Sequence, residues 1–362
     1  MKVLYIGHYR DGTGWANAAI NNILAMDKAG IEIVPRAITY EQKDSEYPDR
    51  IKELEANSSY GSDICIQHTL PHLYSYDSSY KKNIGFLATE TTSFKDTGWQ
   101  KYCNLMDEIW VPSIATKASC RLSGVNKPIE IVPHSLDISS YINHEQKNKI
   151  QELENSFNFV FIGEFIERKN IKALVQAFHS EFETIEPVNL FIKTSRQDLK
   201  AVQEYCNNIK RGLKIRKSYK NEIIISGKLD KHDYISVLKQ CHSFVMPSRG
   251  EGFCIPALEA MSVGIPVIHT SNTGLGDYAY GTPVASRPVP CFGAVDTIPY
   301  LDNANSSWYE IDVEQLKFAM RSAYMKWNTE TAKTESNKAI EWAKEYDHEA
   351  IGGLIKEILN DS

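Results

Sequence analysis

The stretch that most constrains this chain runs from Met246 to Ile268 and reads MPSRGEGFCIPALEAMSVGIPVI. A short apolar run, Ser243 to Met246, ends at Pro247 and Ser248, and two glycines, Gly250 and Gly252, then bracket one carboxylate, Glu251. From Ile255 the spacing becomes helical: Ile255, Leu258 and Met261 recur every three or four residues until Gly264 and Pro266 end the run. The pattern predicts strand, tight turn, helix. In that arrangement the amides of Gly252, Phe253 and Cys254 stand at a helix N-terminus, where hydrogen bonding and the helix dipole both favour an anion such as phosphate. A second carboxylate, Glu259, lies eight positions beyond Glu251, about two turns into the helix. Set among Ala257, Leu258, Ala260 and Met261, it needs a polar partner, because a desolvated carboxylate without one costs stability. As an isolated pair the two glutamates also fit a helix-surface residue beside a loop residue, since charged side chains are mostly solvated.

At 362 residues the chain exceeds most single cores, so two domains are expected. Hydrophobic residues at 42% and charged ones at 24% suit a soluble globular protein. A net charge of -6 argues against a general nucleic-acid or anionic-membrane binder. The apolar run after Lys2, from Val3 to Ile6, is too short for a signal-peptide core, and no run reaches transmembrane length. The seven cysteines are odd in number and contain no C-x-x-C pair, so neither a disulfide frame nor a thiolate zinc site is suggested, and a reducing cytoplasm fits best. Cys254 reads as a small buried thiol, with no adjacent histidine to act as its base.

In chain order, Val3 to Ile6 forms a buried-type strand, and a loop carrying Gly7, Gly12 and Gly14 leads into a helix striped by Trp15, Ala19, Ile20, Ile23 and Leu24. A glycine loop between strand and helix is the phosphate-binding arrangement of βαβ units, but G-x-G without a third spaced glycine leaves Gly12 and Gly14 equally open to a purely local turn. Apolar strands then alternate with helices: Ile31 to Val34, Asp63 to Ile66, Ile84 to Ala88, Glu108 to Val111 and Ile129 to Val132. Such alternation predicts a parallel sheet covered on both faces, with its ligand crevice at the strand C-terminal ends. Two loops at those ends, Gln67 to His72 and Thr89 to Thr92, therefore stand out. Pro71 disfavours the helix that would align His68 and His72 on a metal, so His68 reads as a satisfied loop histidine or a contact to an acceptor.

Residues 138–155 are polar and read as a linker or surface helix between a first domain, 1–137, and a second, 156–340, with 341–362 as a terminal helical segment. In the second half, Phe159 to Ile162, Asn189 to Ile192 and Glu222 to Ile225 are strands, before the run ending at Met246. The first turn there reads GEFIERKN and places Arg168 and Lys169 at a helix start, where the dipole disfavours cations unless an anion is bound. Lys193 and Thr194 end one strand, and Ser226, Gly227, Lys228 and Leu229 follow another. The cluster KRGLKIRKSYK, 210–220, has six basic residues in eleven and reads mainly as a solvated helix end. Residues 281–308 look irregular, and two helices, Val313 to Trp327 and Thr331 to Leu359, close the chain.

The long stretch containing Glu251, Gly252, Phe253, Pro256, Glu259, Ala260, Met261, Gly264, Pro266, Val267 and Ile268 resembles the signature of family-4 retaining glycosyltransferases of the GT-B fold. The N-terminal half resembles the same family at Gly12 to Ala16, Ala88 to Thr91 and Asp107 to Ser113, and Val132 to Asp137 resembles the end of its first domain with Ser135 in place of glycine. The resemblance implies an α/β protein of two Rossmann-like domains facing across a cleft, with a nucleotide diphosphate sugar as donor substrate and no separate cofactor. It further implies Glu251 beside the donor sugar and diphosphate, phosphate binding by the amides of Gly252 and Phe253, ribose binding by Glu259, and base contacts from the turn holding Gly227 and Leu229; by position, the strand end at Lys193 and Thr194 should face the base as well. Lys169 matches the family's phosphate lysine. Glu164 stands where an arginine is expected, so Arg168 is expected to supply that charge. The Thr270 to Tyr278 loop resembles one near the phosphates, and the last helix is expected to cross back onto the first domain through Trp342, Tyr346 and Ile351.

The implied activity is transfer of a hexose or related sugar to a hydroxyl, with Glu251, Lys169, Arg168 and His68 as catalytic candidates. A glycan or lipopolysaccharide precursor is the first choice of acceptor; a small molecule, a protein or a hydroxylated DNA base are lesser ones. A non-catalytic nucleotide-sugar binder and a sugar-nucleotide epimerase of the same fold are the alternatives from other classes. The chain contains no Asp-x-Asp, so a metal-independent site is expected.

Overall fold

The computed structural model describes residues 1–38, 45–146, 148–195, 198–215, 218–291 and 305–361. The chain forms two compact units, Met1–Ile138 with the segment from Lys344 onward, and Ser139–Ala343. In the first unit, six strands, β1 (Lys2–Gly7), β2 (Glu32–Ala37), β3 (Ile64–His68), β4 (Lys82–Phe86), β5 (Glu108–Val111) and β6 (Ile129–Ile131), make one sheet in the order β2-β1-β3-β4-β5-β6. Every neighbouring pair is parallel. The strands are apolar because helices cover the sheet. Pro35, which cannot donate to a ladder, sits on the edge strand β2, where the missing N–H is tolerated.

The second unit repeats the plan with β7 (Phe157–Ile162), β8 (Val188–Thr194), β9 (Ile223–Ser226), β10 (Ser243–Met246), β11 (Val267–Thr270) and β12 (Gly281–Val284), ordered β12-β11-β10-β7-β8-β9. All pairs are again parallel, and the edge strand β12 carries Pro283. The strand order reverses between β7 and β10, and doubly wound sheets bind ligands at such a switch point, beyond the C-terminal ends of the strands.

Residues 281–308, expected to be irregular, instead contain β12, β13 (Ser286–Pro290) and β14 (Ser307–Ile311), the last two forming an antiparallel ribbon; 292–304 lie outside the described residues. Pro288 and Pro290 masked the strand in the sequence, yet a two-stranded ribbon has an unpaired side that accepts them. Residues 138–155 hold a short helix, Ile138–Ile142, and a 3-10 turn, Gln151–Leu153, and group with the second unit from Ser139.

The chain closes with three helices rather than two: Val313–Met325, Glu330–Lys344 and His348–Asn360. The break comes where Asp347 caps the last helix through Glu349 N and its backbone bridges to Leu136. That helix packs in the first unit, burying Ile351, Ile355 and Leu359 with Ala19, Ile23 and Met26, at roughly 1.5–3 kcal/mol per large side chain. Gly352 allows the approach, since a Cβ there would lie 2.2 Å from the carbonyl oxygen of Ala25. Tyr346 packs against the same core, but Trp342 belongs to the second unit, where its indole donates to the Tyr278 carbonyl at 2.7 Å.

Candidate active site

The loops after β7 and β10 meet because these strands are neighbours, although about eighty residues separate them in sequence. The first carries the 3-10 turn Glu167–Lys169, and the second runs from Pro247 to the helix Ile255–Ser262. Two hydrogen bonds to one backbone oxygen lock them together: Arg249 N donates to Arg168 O at 2.7 Å, and the side-chain Ser248 Oγ donates to the same oxygen at 3.1 Å. Glu251 lies between them with its side chain 4% exposed. Its Oε1 accepts from Lys169 Nζ at 2.7 Å and from Arg168 Nη1 at 3.0 Å, and Arg168 also donates to Gly250 O at 2.6 Å. Burial alone would raise the Glu251 pKa, but the charges of Lys169 and Arg168 outweigh it and hold the carboxyl below its ordinary value. Glu251 is therefore ionised at neutral pH, bound to the two cations that the sequence singled out. Glu164 faces elsewhere, accepting from Ser195 Oγ.

Residues 252–254 stand at the N-terminus of the helix Ile255–Ser262, as the spacing predicted, with Pro256 in its first turn. Cys254, the N-cap residue, has φ 83°, a left-handed conformation uncommon for a side chain with a Cβ. The turn is held from outside: Gly274 N donates to Glu251 O at 2.8 Å, Tyr278 Oη to Cys254 O at 2.5 Å, and the Phe253 ring stacks on Tyr278 at 4.1 Å. Only glycine fits at 274, where a Cβ would approach Gly252 O to 2.3 Å. Burial pushes the Cys254 thiol up to about 12, so it is protonated and inert at neutral pH.

Glu259 has the polar partners that its apolar surroundings demanded. Tyr141 Oη donates to Oε1 at 2.8 Å and Tyr234 Oη donates to Oε2. Burial raises its pKa, while the two hydroxyls and Lys231 partly oppose the shift. Neither tyrosine was singled out from the sequence, because they lie 118 and 25 positions away and belong to no recognisable motif. At the end of β8, Lys193 Nζ donates to Gly227 O at 2.7 Å and Gly227 N to Thr194 O at 3.0 Å, so Lys193, Thr194 and Gly227 form one corner, with Leu229 half-buried just beyond.

The remaining candidates lie in the first unit. Gly12, at φ 64°, shapes the loop after β1, and Gly14 begins the helix Gly14–Lys28 that Thr13 caps. His68 is the last residue of β3 rather than part of a loop, and it is buried, 1% exposed. Its ring stacks on Phe86 at 4.3 Å and its Nδ1 pairs with Tyr5 Oη at 2.6 Å. Burial, reinforced by His134 and His8, holds its pKa well below the ordinary value, so it is a neutral core histidine. His72 is exposed in the turn Pro71–Leu73 and stacks on Trp99. Among the described residues no three His, Cys, Asp or Glu side chains gather as a metal site.

Two members of the basic cluster face inward rather than toward a polyanion. Lys210 pairs with Glu222 at 2.9 Å, and Lys220 donates to the carbonyls of Glu186 and Val188; positions 216 and 217 lie outside the described residues. All seven cysteines are buried and free. Among the described residues no helix is long and apolar enough to cross a membrane.

Residues 143–280 match the family described as Glycosyl transferases group 1. Over 157 residues the chain is 30% identical to the Serotype-specific mannosyltransferase WbdA of Escherichia coli, and over 152 residues 28% identical to that organism's UDP-Gal:alpha-D-GlcNAc-diphosphoundecaprenol alpha-1,3-galactosyltransferase. These matches cover 39% and 40% of this chain but only 18% and 37% of those relatives. The fold is similar along its whole length to that of HepE of Anabaena, solved in complex with UDP-glucose, with a TM-score of 0.66, 14% identity and 100% of both chains covered. Residues 143–280 are thus similar to group 1 glycosyl transferases, in a chain that has the GT-B fold.

Proposed function

We propose that this protein is a metal-independent, retaining glycosyltransferase that moves a hexose from a nucleotide diphosphate sugar to an acceptor hydroxyl, in the synthesis of a glycan or lipopolysaccharide in the cytoplasm. The observation that carries the reading is the buried cluster of Glu251, Lys169 and Arg168 at the switch point of the second sheet, inside the segment that matches the family. Two cations and a helix N-terminus make a field suited to a diphosphate. Without donor, Glu251 neutralises that field; a bound diphosphate takes over Lys169 and Arg168 and leaves the carboxylate beside the sugar.

In the step itself the acceptor oxygen bonds to the anomeric carbon as that carbon's bond to the diphosphate breaks. The electron pair passes to the departing phosphate oxygen, which takes the acceptor's proton, so no separate base is required. Glu259 accepts from the ribose hydroxyls, and the corner of Lys193, Thr194, Gly227 and Leu229 faces the base. The named activities of the mannosyltransferase and galactosyltransferase relatives support a hexose donor and a glycan acceptor. The inward-facing Lys210 and Lys220 give no support to a DNA acceptor.

The test is donor turnover across a panel of nucleoside diphosphate hexoses with a hydroxyl acceptor, the product's anomeric configuration being read by NMR. Retention of the donor's α configuration is expected. Inversion would refute the retaining mechanism, and absence of both transfer and donor hydrolysis across the panel would refute the enzyme assignment.

A further inference from the structure

A carboxylate has two oxygens that only accept, so one glutamate can tie together two donors that lie far apart in sequence. Glu310, on β14, does so across the two loops of the Glu251 cluster. Its Oε1 accepts from Asn170 Nδ2 at 3.1 Å, and its Oε2 accepts from Arg249 Nε. Asn170 directly follows Arg168 and Lys169 on the loop after β7, and Arg249 lies two residues before Glu251 on the loop after β10. The carboxylate therefore spans both loops, one oxygen on each, from a strand 140 and 61 positions further along the chain.

The strand that carries Glu310 is anchored by other contacts as well. Trp308, two residues earlier and so on the same face of β14, is 2% exposed, and β14 pairs with β13 from Ser307 to Ile311. Tyr309 N donates to Arg249 O at 2.8 Å, and Arg249 N donates in turn to Arg168 O at 2.7 Å. The Arg249 guanidinium is held from its other side by Glu167 at 2.7 Å. On the first loop, Asn170 stands at φ 53° between the 3-10 turn Glu167–Lys169 and the helix Ile171–Glu181, a left-handed position that asparagine tolerates. Its side chain does not cap that helix; the amide is turned to Glu310 instead.

Sites carried on loops are less precise than sites on helices or strands unless a supporting shell holds them. Arg168 and Lys169 on one loop, and the amides of residues 252–254 on the other, must keep one spacing to meet a single diphosphate. We propose that Glu310 is a positioning residue that sets this spacing, touching no substrate itself and acting through Asn170 and Arg249. This role rests on the reading of the cluster as a diphosphate site and goes beyond it, naming the residue outside the cluster that holds its two halves in register. The sign of the effect separates positioning from plain electrostatics. As a negative charge near an anion site Glu310 repels the anion through space, so on charge alone its removal would tighten binding. As a clasp between the loops, its removal weakens binding.

The experiment is calorimetric titration of the full chain with inorganic pyrophosphate, a probe independent of the donor's base and sugar. Wild type is expected to bind, and Lys169→Met, which places the anion on the cluster, to lose binding. In Glu310→Ala the Kd should rise about tenfold, the lower end of what removing a residue that orients a binding group costs. Glu310→Asp keeps the charge but is a methylene too short to reach both loops, so its Kd should rise as well; it decides the matter should Glu310→Ala fail to fold. Glu181→Gln, which loosens the Arg321 pair at the other end of the helix Ile171–Glu181, controls for general loosening of the unit and should keep the wild-type Kd. Absence of pyrophosphate binding in wild type, or its survival in Lys169→Met, would remove the diphosphate site and this role with it. Binding in wild type with an unchanged or lower Kd in Glu310→Ala, a wild-type Kd in Glu310→Asp, or an equal rise in Glu181→Gln would overturn the positioning role alone.

Discussion

Replacing Glu251 by glutamine keeps the shape of the side chain and removes the charge that Lys169 and Arg168 share. At 2.7 and 3.0 Å, and an effective dielectric constant of about 20, each contact supplies about 6 kcal/mol of Coulomb attraction, most of which offsets the desolvation of three buried charges. What the substitution exposes is the mutual repulsion of two cations with no counter-charge, and breaking a buried pair in this way costs about 3–5 kcal/mol. For a domain of this size, about 2–4 °C of Tm per kcal/mol follows, so the ligand-free variant should melt at least about 6 °C below wild type. An anion should replace what the carboxylate supplied. Saturating UDP or inorganic pyrophosphate is therefore expected to raise the Tm of Glu251→Gln by more than it raises that of wild type, while transfer is lost. Differential scanning fluorimetry with and without the anion, alongside a donor-turnover assay, measures both. A variant that melts with wild type, or that gains no more than wild type from the anion, would refute the claim that Glu251 and the diphosphate compete for the same two cations.

The pH dependence follows from the same triad. The folded-state pKa of Glu251 lies below the unfolded value of about 4.5, so its stabilisation is complete above that value and is lost as pH falls through the lowered folded one; Glu251→Gln should flatten this acid limb in chemical denaturation curves taken between pH 6 and pH 3. Glu259→Ala is expected to raise the donor KM more than it lowers kcat, because a ribose contact acts in ground and transition states alike, and steady-state kinetics showing a pure kcat loss would remove that role. Tyr234→Phe withdraws one of the two hydroxyls that hold Glu259 and should move KM in the same direction by a smaller factor; an unchanged KM would mean that Tyr234 does not position it. Transfer should survive excess EDTA, and loss on chelation with recovery on added manganese would contradict a phosphate site built from Lys169, Arg168 and helix amides.

The sequence by itself determined the local chemistry. Apolar runs such as Phe157–Ile162 and Ser243–Met246 had to be buried parallel strands, and Gly250 to Cys254 had to be a turn into a helix. These features depend on neighbours within a few residues, where periodicity and turn chemistry operate. The tertiary structure alone decided what depends on strand order and on distant partners. It put β7 beside β10, which brought Glu251 onto Lys169 and Arg168 across more than eighty residues, and it set Tyr141 and Tyr234 on Glu259. It turned His68 from a loop candidate into a core residue stacked on Phe86, because β3 runs two residues further than its apolar pattern indicated. It folded the proline-rich 286–290 segment into a ribbon with β14, which sets Glu310 on Asn170 and Arg249. A pairing between distant residues leaves no periodic trace in either partner's own segment; it appears only when the sheet fixes which strand ends are neighbours.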